Sequence, residues 1–249
     1  MTKSQSLDRG LSILELVRDS PEPLGTREIA RRLDLSAAIV QRLINSLADR
    51  NYLARDPETR RYRIGHKAII FGNALARGDK LLTVVRAELT EVTRKLRVDS
   101  YMATLQGHRA FYLLCITGDA PVSVRCDPGD AIPLHSTAIG KAILAHYTDS
   151  EVTDLLGPGP YAAITPDTIT DERRFLDELT ETRRRGYAVV ENENIVGITS
   201  VGVLLDIPSS PSKTAISISF SPHFTKDVDT EEAAAVVQAA ARRVVRAFM

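Results

Sequence analysis

Cysteine is scarce: Cys115 and Cys126 are the only two in 249 residues, too few for a disulfide framework and without the paired spacing of a structural zinc site. Both are expected as buried core thiols. No uninterrupted apolar run approaches the ~20 residues that cross a bilayer. The opening MTKSQSLDRG lacks the apolar core of a signal peptide. A cytoplasmic protein with no membrane partner is the expectation. Net charge is missing too, with 32 Lys and Arg against 32 Asp and Glu, so the whole-chain balance does not by itself identify a polyanionic partner. Disorder is excluded, because 43% hydrophobic and 26% charged residues match the average globular chain.

Recognisable catalytic motifs are also absent. The closest approach to a nucleophile elbow, Gly197 to Gly202, has no glycine two residues before Ser200. No Gly-rich phosphate loop is followed by Lys-Ser/Thr, no dinucleotide fingerprint follows a first strand, and no His-Glu-x-x-His helix is present. The sequence therefore offers no enzyme, metal or cofactor assignment. His135 precedes a helical stretch and is expected to cap it, with a ligand-sensing or metal-binding role as the alternative.

A chain of this length is expected to form two domains. Their charges differ in sign: residues 1–78 hold 14 basic against 9 acidic side chains, residues 79–249 hold 18 against 23. The basic first segment is the one suited to nucleic acid. Leu11, Ile13, Leu14, Leu16 and Val17 mark one face of a first helix, ended by Pro21 and Pro23. Thr26 is the expected cap of a second helix, and Asp34-Leu35-Ser36 a tight turn. Ser36 then caps a third, with Val40, Leu43, Ile44 and Leu47 at helical spacing. Strand-like runs at Tyr52 to Arg55 and Arg61 to Ile64 flank a hairpin loop. Three helices and a hairpin predict a winged helix-turn-helix.

Such a fold puts the start of its third helix in the major groove. Ser36, Ala37, Ala38, Gln41, Arg42 and Asn45 occupy that face. Gln and Asn match adenine, Arg matches guanine, and alanine packs on a thymine methyl; an ordinary solvated face is the alternative. Arg55, Arg60, Arg61 and Arg63 make the hairpin basic and suited to phosphate.

A helix from His66 to Ala76 and another from about Lys80 to Leu96 flank Gly78, the expected boundary. Beyond it the period changes to two, predicting an antiparallel meander at Tyr101 to Gln106, Phe111 to Thr117 and Val122 to Cys126. Helices follow at His135 to His146, Asp149 to Leu156 and Asp171 to Arg185, the last capped by Thr170 and closed by Gly186. Strands around Val196 to Leu205 and Lys213 to Ser221 precede a helix from Glu231 to Phe248. The expected class is α+β in two domains, 1–78 and 79–249.

The stretch Asp127 to Ala145, DPGDAIPLHSTAIGKAILA, resembles the effector-domain signature of the IclR family of bacterial transcription regulators. Ser6 to Leu11, Tyr62 to Gly65, Thr165, Thr168 to Thr170, Arg185 to Tyr187 and Ala215 to Ser219 resemble that family in the same order along the chain. The resemblance implies a winged helix that binds double-stranded operator DNA, a linker helix, and a GAF-like domain that binds a small metabolite. It also implies a homodimer or dimer of dimers. It places the effector pocket at Ile132, Ala138, Ile139, Val190, Ile198, Ser200, Ser217 and Ser219. Relatives often carry polar residues where this chain has Ala37, Ala38 and Ile39. They also carry an acidic residue, a glycine and a cysteine where it has Val190, Gly197 and Ser200. A helix starting near Ser136 leaves the Thr137, Ala138 and Ile139 amides free for an anion, and Ser217 and Ser219 share one strand face. A small organic acid is the expected effector. A metabolite-binding protein or enzyme whose N-terminal helices serve assembly is the second hypothesis.

Overall fold

The computed structural model describes residues 4–208, 210, 212–225 and 228–249. The chain divides into two compact units, Met1–Asp79 and Lys80–Met249.

In the first unit, α1 (Gln5–Arg18), α2 (Thr26–Arg32) and α3 (Ala37–Asp49) precede an antiparallel hairpin of β1 (Leu53–Arg55) and β2 (Tyr62–Ile64), then α4 (Lys67–Gly78). Ile13, Val17, Ile29, Val40, Ile44, Leu53 and Tyr62 close on one core. Leu24 joins the hairpin as a third edge, its N–H and C=O bonded to the Tyr62 backbone at 2.9 and 2.8 Å. Gly25, not Thr26, precedes α2; Thr26 is its first residue, and its hydroxyl donates to Gln41. Gly65 fits where the chain leaves β2 because a Cβ there would lie 2.1 Å from the Asn51 carbonyl oxygen. α4 buries none of its residues.

The second unit starts with α5 (Lys80–Leu96), then β3 (Asp99–Gln106), β4 (Arg109–Ile116) and the short β5 (Ala131–Ile132). α6 (Ala138–Leu144), α7 (Asp149–Leu156) and α8 (Glu172–Arg185) lead to β6 (Ala188–Glu191), β7 (Thr199–Leu205), β8 (Thr214–Phe220) and α9 (Thr230–Arg246). The six strands form one antiparallel sheet in the order β5-β4-β3-β8-β7-β6. Side chains alternate across it. Ile216, Ile218 and Phe220 pack in the layer with α5 and α9, while Ala215 packs with α6 and α8. Both faces are covered, so Ser217 and Ser219 are buried and not on a solvent side.

Several boundaries differ from expectation. Residues 122–126 form no strand: Val124 donates its N–H to the Asp99 carboxylate and accepts from the Tyr101 hydroxyl, so side chains replace a ladder there. α6 begins at Ala138, not near Ser136, with Thr137 as its cap. His135 does not cap it; its Nε2 lies 2.8 Å from the Ala162 carbonyl oxygen and its ring packs on Tyr161. Asp171, not Thr170, caps α8, and Gly186 closes it in the left-handed region. β6 was not anticipated; four residues are too short for a period-two signal.

Candidate DNA-reading face and ligand pocket

The Ser36 hydroxyl accepts from the Ile39 amide at 3.3 Å and fixes where α3 starts. From there the helical repeat turns Val40 and Ile44 inward and leaves Ser36, Ala37, Ala38, Gln41, Arg42 and Asn45 exposed on the other side. Gln41 accepts from Thr26 at 3.0 Å and donates to Asn45 at 2.8 Å. Reading adenine with either amide therefore requires exchanging these internal bonds for bonds to a base. The Arg42 guanidinium has no partner among the described residues, so it meets no such cost.

The four hairpin arginines are not equivalent. Cross-strand pairs share a face. The register pairs Arg55 with Tyr62 and Ala54 with Arg63, so Arg55 and Arg63 lie on opposite faces. Arg55 sits 5.9 Å from the centre of the buried Tyr62 ring. Arg61 turns back on the helical body, donating to the Pro23 carbonyl at 2.9 Å and meeting Glu28 at 3.4 Å. Its guanidinium is therefore engaged within the unit, on a side chain still about half exposed. Arg60 and Arg63 stay exposed at the tip and on the outer face. Asp56 shapes the tip by accepting from the Glu58 and Thr59 amides. Those bonds, Thr59 foremost, hold its carboxyl below the ordinary range.

In the second unit a cavity lies between the sheet and the start of α6, lined by twelve residues: Ala138, Ile139, Val190, Ile198, Ser200, Ser217 and Ser219, with Tyr112, Val124, Thr137, Asn194 and Ile195. The first seven were anticipated. Ile132 was anticipated as well and does not line the cavity; it is buried in the neighbouring apolar cluster with Tyr101 and Ala110. The other five come from β4, the segment after it, the α6 cap and the 192–198 loop. Contact across the fold brings them together, and apart from Thr137, at the expected start of the helix, no local pattern marks them. Gly202 sets the height of the cavity. A Cβ there would lie 2.3 Å from the Ala138 carbonyl oxygen, so only glycine lets α6 press so close to β7.

The lining mixes polar and apolar side chains and carries no charged one. Ser200 and Ser219, directly paired across β7 and β8, share a hydrogen bond at 2.8 Å. The Ser217 hydroxyl has no partner among the described residues. Asn194, which lines the cavity, accepts from Ser136 at 3.1 Å through its carbonyl oxygen. Burial, above all, raises the Tyr112 phenol beyond its ordinary range and keeps it neutral. Ser217 is buried as a residue, and its hydroxyl depends for a partner on whatever occupies the cavity. The enclosed free volume is about 30 Å³, room for about one or two waters.

The wall carrying Asn194 is anchored below. Lys141, fully buried in α6, pairs with Glu193 at 2.5 Å. The Glu193 backbone carbonyl accepts from Thr165 at 3.2 Å and Thr168 at 2.7 Å. A lysine inside an otherwise apolar helix is the sequence signal for such a pair, since buried cations need partners.

Known proteins resemble the whole chain. Residues 74–246 match the family described as bacterial transcriptional regulator IclR C-terminal, and residues 6–57 match the IclR helix-turn-helix domain. The transcriptional regulator XynR of Escherichia coli is 28% identical over 230 residues, covering 92% of this chain and 90% of its own. The acetate operon repressor of Salmonella typhimurium is 27% identical, covering 98% and 90%. An IclR regulator from Alicyclobacillus acidocaldarius superposes with a TM-score of 0.84 at 25% identity, covering 98% and 99%. An IclR homologue from Microbacterium hydrocarbonoxydans, crystallised with 4-hydroxybenzoate, shares the fold with a TM-score of 0.79 at 21% identity, covering 98% and 100%. These relatives are regulators, not enzymes, which removes the second hypothesis. A winged helix-turn-helix of the matching family, joined to a C-terminal domain whose family model spans most of the remaining residues, makes this chain a member of the IclR family: a DNA-binding transcription regulator.

Proposed function

We propose that operator binding by this regulator is controlled by a small carboxylic acid with a sizeable apolar part, held in the cavity between α6 and the sheet. The unpartnered Ser217 hydroxyl in a buried layer carries this assignment. Ser217, the Asn194 amide and the neutral Tyr112 phenol supply donors, with the Ala138 and Ile139 amides beside them. Val190, Ile195 and Ile198 cover the apolar part. The two-turn α6 adds less dipole than a long helix would, and with no cation in the lining the carboxylate depends on these neutral donors. A cavity of roughly 150 Å³ holds benzene, several times the free volume here. Ligand entry therefore moves a wall, and a ligand that favours the opened form shifts the protein by its differential affinity for the two forms.

The DNA-reading residues are Ser36, Ala37, Ala38, Gln41, Arg42 and Asn45, with Arg55, Arg60 and Arg63 positioning the phosphates. One winged helix covers half a site, so the working unit is a homodimer or a dimer of dimers, acting in the cytoplasm. Exposed Leu7 and Leu11 on α1 and Ile69, Ile70, Phe71 and Leu75 on α4 supply the apolar contact. Light scattering that finds a monomer with full operator affinity refutes the assembly.

The pocket is tested by calorimetric titration of 4-hydroxybenzoate and a panel of aliphatic and aromatic acids. Hydrogen bonds to a charged acceptor contribute about 1.5–3 kcal/mol, so Ser217→Ala should weaken the best-binding acid ~10- to 150-fold and leave effector-free operator affinity unchanged. Equal affinity in the variant, or preference for a neutral or cationic ligand, refutes the assignment.

A further inference from the structure

The two cysteines are neither fully buried nor apart. Cys115 on β4 and Cys126 in the segment after it are both half-buried, with sulfurs 2.7 Å from one another. That is only about 0.7 Å longer than a disulfide bond of ~2.05 Å. The approach is built by the fold: the Asp99 carboxylate accepts from the Gly118 amide at 2.9 Å and the Val124 amide at 2.7 Å, and the Tyr101 hydroxyl donates to the Val124 carbonyl at 2.7 Å. Farther along, the Tyr112 backbone bonds to Asp130 and Gly129. Cys126 is thereby held two residues from Val124, which lines the cavity.

We propose that Cys115 and Cys126 form an intramolecular disulfide on reaction with a hydroperoxide, and that this bond fastens residues 117–130 over the cavity. Cys115 loses its proton and attacks one peroxide oxygen. The O–O bond breaks, the proton leaves with the departing alkoxide or hydroxide, and Cys115 becomes a sulfenic acid. The Cys126 sulfur then attacks that of Cys115, and its proton leaves with the displaced hydroxide as water. Two thiols lose two electrons and the peroxide gains them. The two sulfurs share one hydrogen bond that either can donate, so Cys115 and Cys126 can exchange roles in these steps. In a protein that works on DNA in a reducing compartment such a bond is transient and regulatory.

The bond is independent of the pocket assignment; its effect on the pocket rests on that assignment, and the readouts separate the two. The full chain is treated with hydrogen peroxide, alkylated under denaturing conditions and digested without reductant. A linked peptide pair containing Cys115 and Cys126, in a chain that has lost two hydrogens and regains both thiols with reductant, is the expected result. Two alkylated cysteines after treatment, or disulfide-linked dimers, overturn the bond. In the presence of dimedone, Cys126→Ser or Cys115→Ser should trap an adduct on the remaining cysteine; no adduct in either variant overturns the sulfenic acid step. Amide exchange in residues 118–130 should slow in the oxidised chain. Unchanged exchange with the bond formed overturns the fastening of the segment and leaves the pocket assignment standing.

Discussion

Replacing Lys141 with methionine removes the cation against which Glu193 is buried. The pair lies at 2.5 Å, with Lys141 fully covered and the Glu193 side chain 9% exposed. At an effective dielectric of about 20, two charges at that separation attract by about 7 kcal/mol. Removing both ions from water costs several kcal/mol each, so the pair as a whole comes close to break-even. Taking away one partner does not, because the other stays buried and uncompensated. Lys141→Met should therefore destabilise the second unit by about 3–5 kcal/mol, whereas Lys141→Met with Glu193→Leu should recover most of that loss. Urea unfolding read by amide exchange in residues 138–145 and 192–198 follows this unit separately from the winged helix. The single variant should also speed exchange in the loop carrying Asn194, Ile195 and Ile198, because Glu193 anchors it. A double variant as unstable as the single, or a single variant as stable as the parent, refutes the reasoning.

On DNA, Arg42→Ala should cost about 1–3 kcal/mol and relax preference at one position, while Arg63→Ala weakens all sequences alike and reduces the salt slope by about one; equal losses on cognate and random DNA for Arg42→Ala refute its base-reading role. Arg61→Ala should lower DNA affinity less than Arg63→Ala in the same titration, since its guanidinium already faces Pro23 and Glu28. Gly202→Ala should destabilise the second unit by about 1–3 kcal/mol or more, because its Cβ meets a backbone carbonyl that cannot swing aside; thermal unfolding measures it. The Asp56 carboxyl titrates lower folded than unfolded. Its support of the wing tip is therefore present above the ordinary Asp range and lost as pH falls through its own lower value, which amide exchange at Thr59 under acid conditions reads.

Much of what depends on groups within a turn or two of each other was legible in the sequence. The Ser36 cap and the inward spacing of Val40 and Ile44 set α3 and its reading face. Asp149 to Leu156 is the helix the sequence predicts, held by a reciprocal Thr148–Glu151 cap. Gly186 ends α8 because it accepts the left-handed conformation. The alternation along β8 put Ser217 and Ser219 on one face. The pattern could not say whether water or α6 covers that face; long-range packing decided it. Tertiary structure alone added Tyr112, Val124, Asn194 and Ile195 to the cavity, left Ile132 outside it, turned Arg61 back toward Glu28 and brought Cys126 to Cys115. Each of these joins segments separated in sequence, and each contact exists only after its own unit has packed.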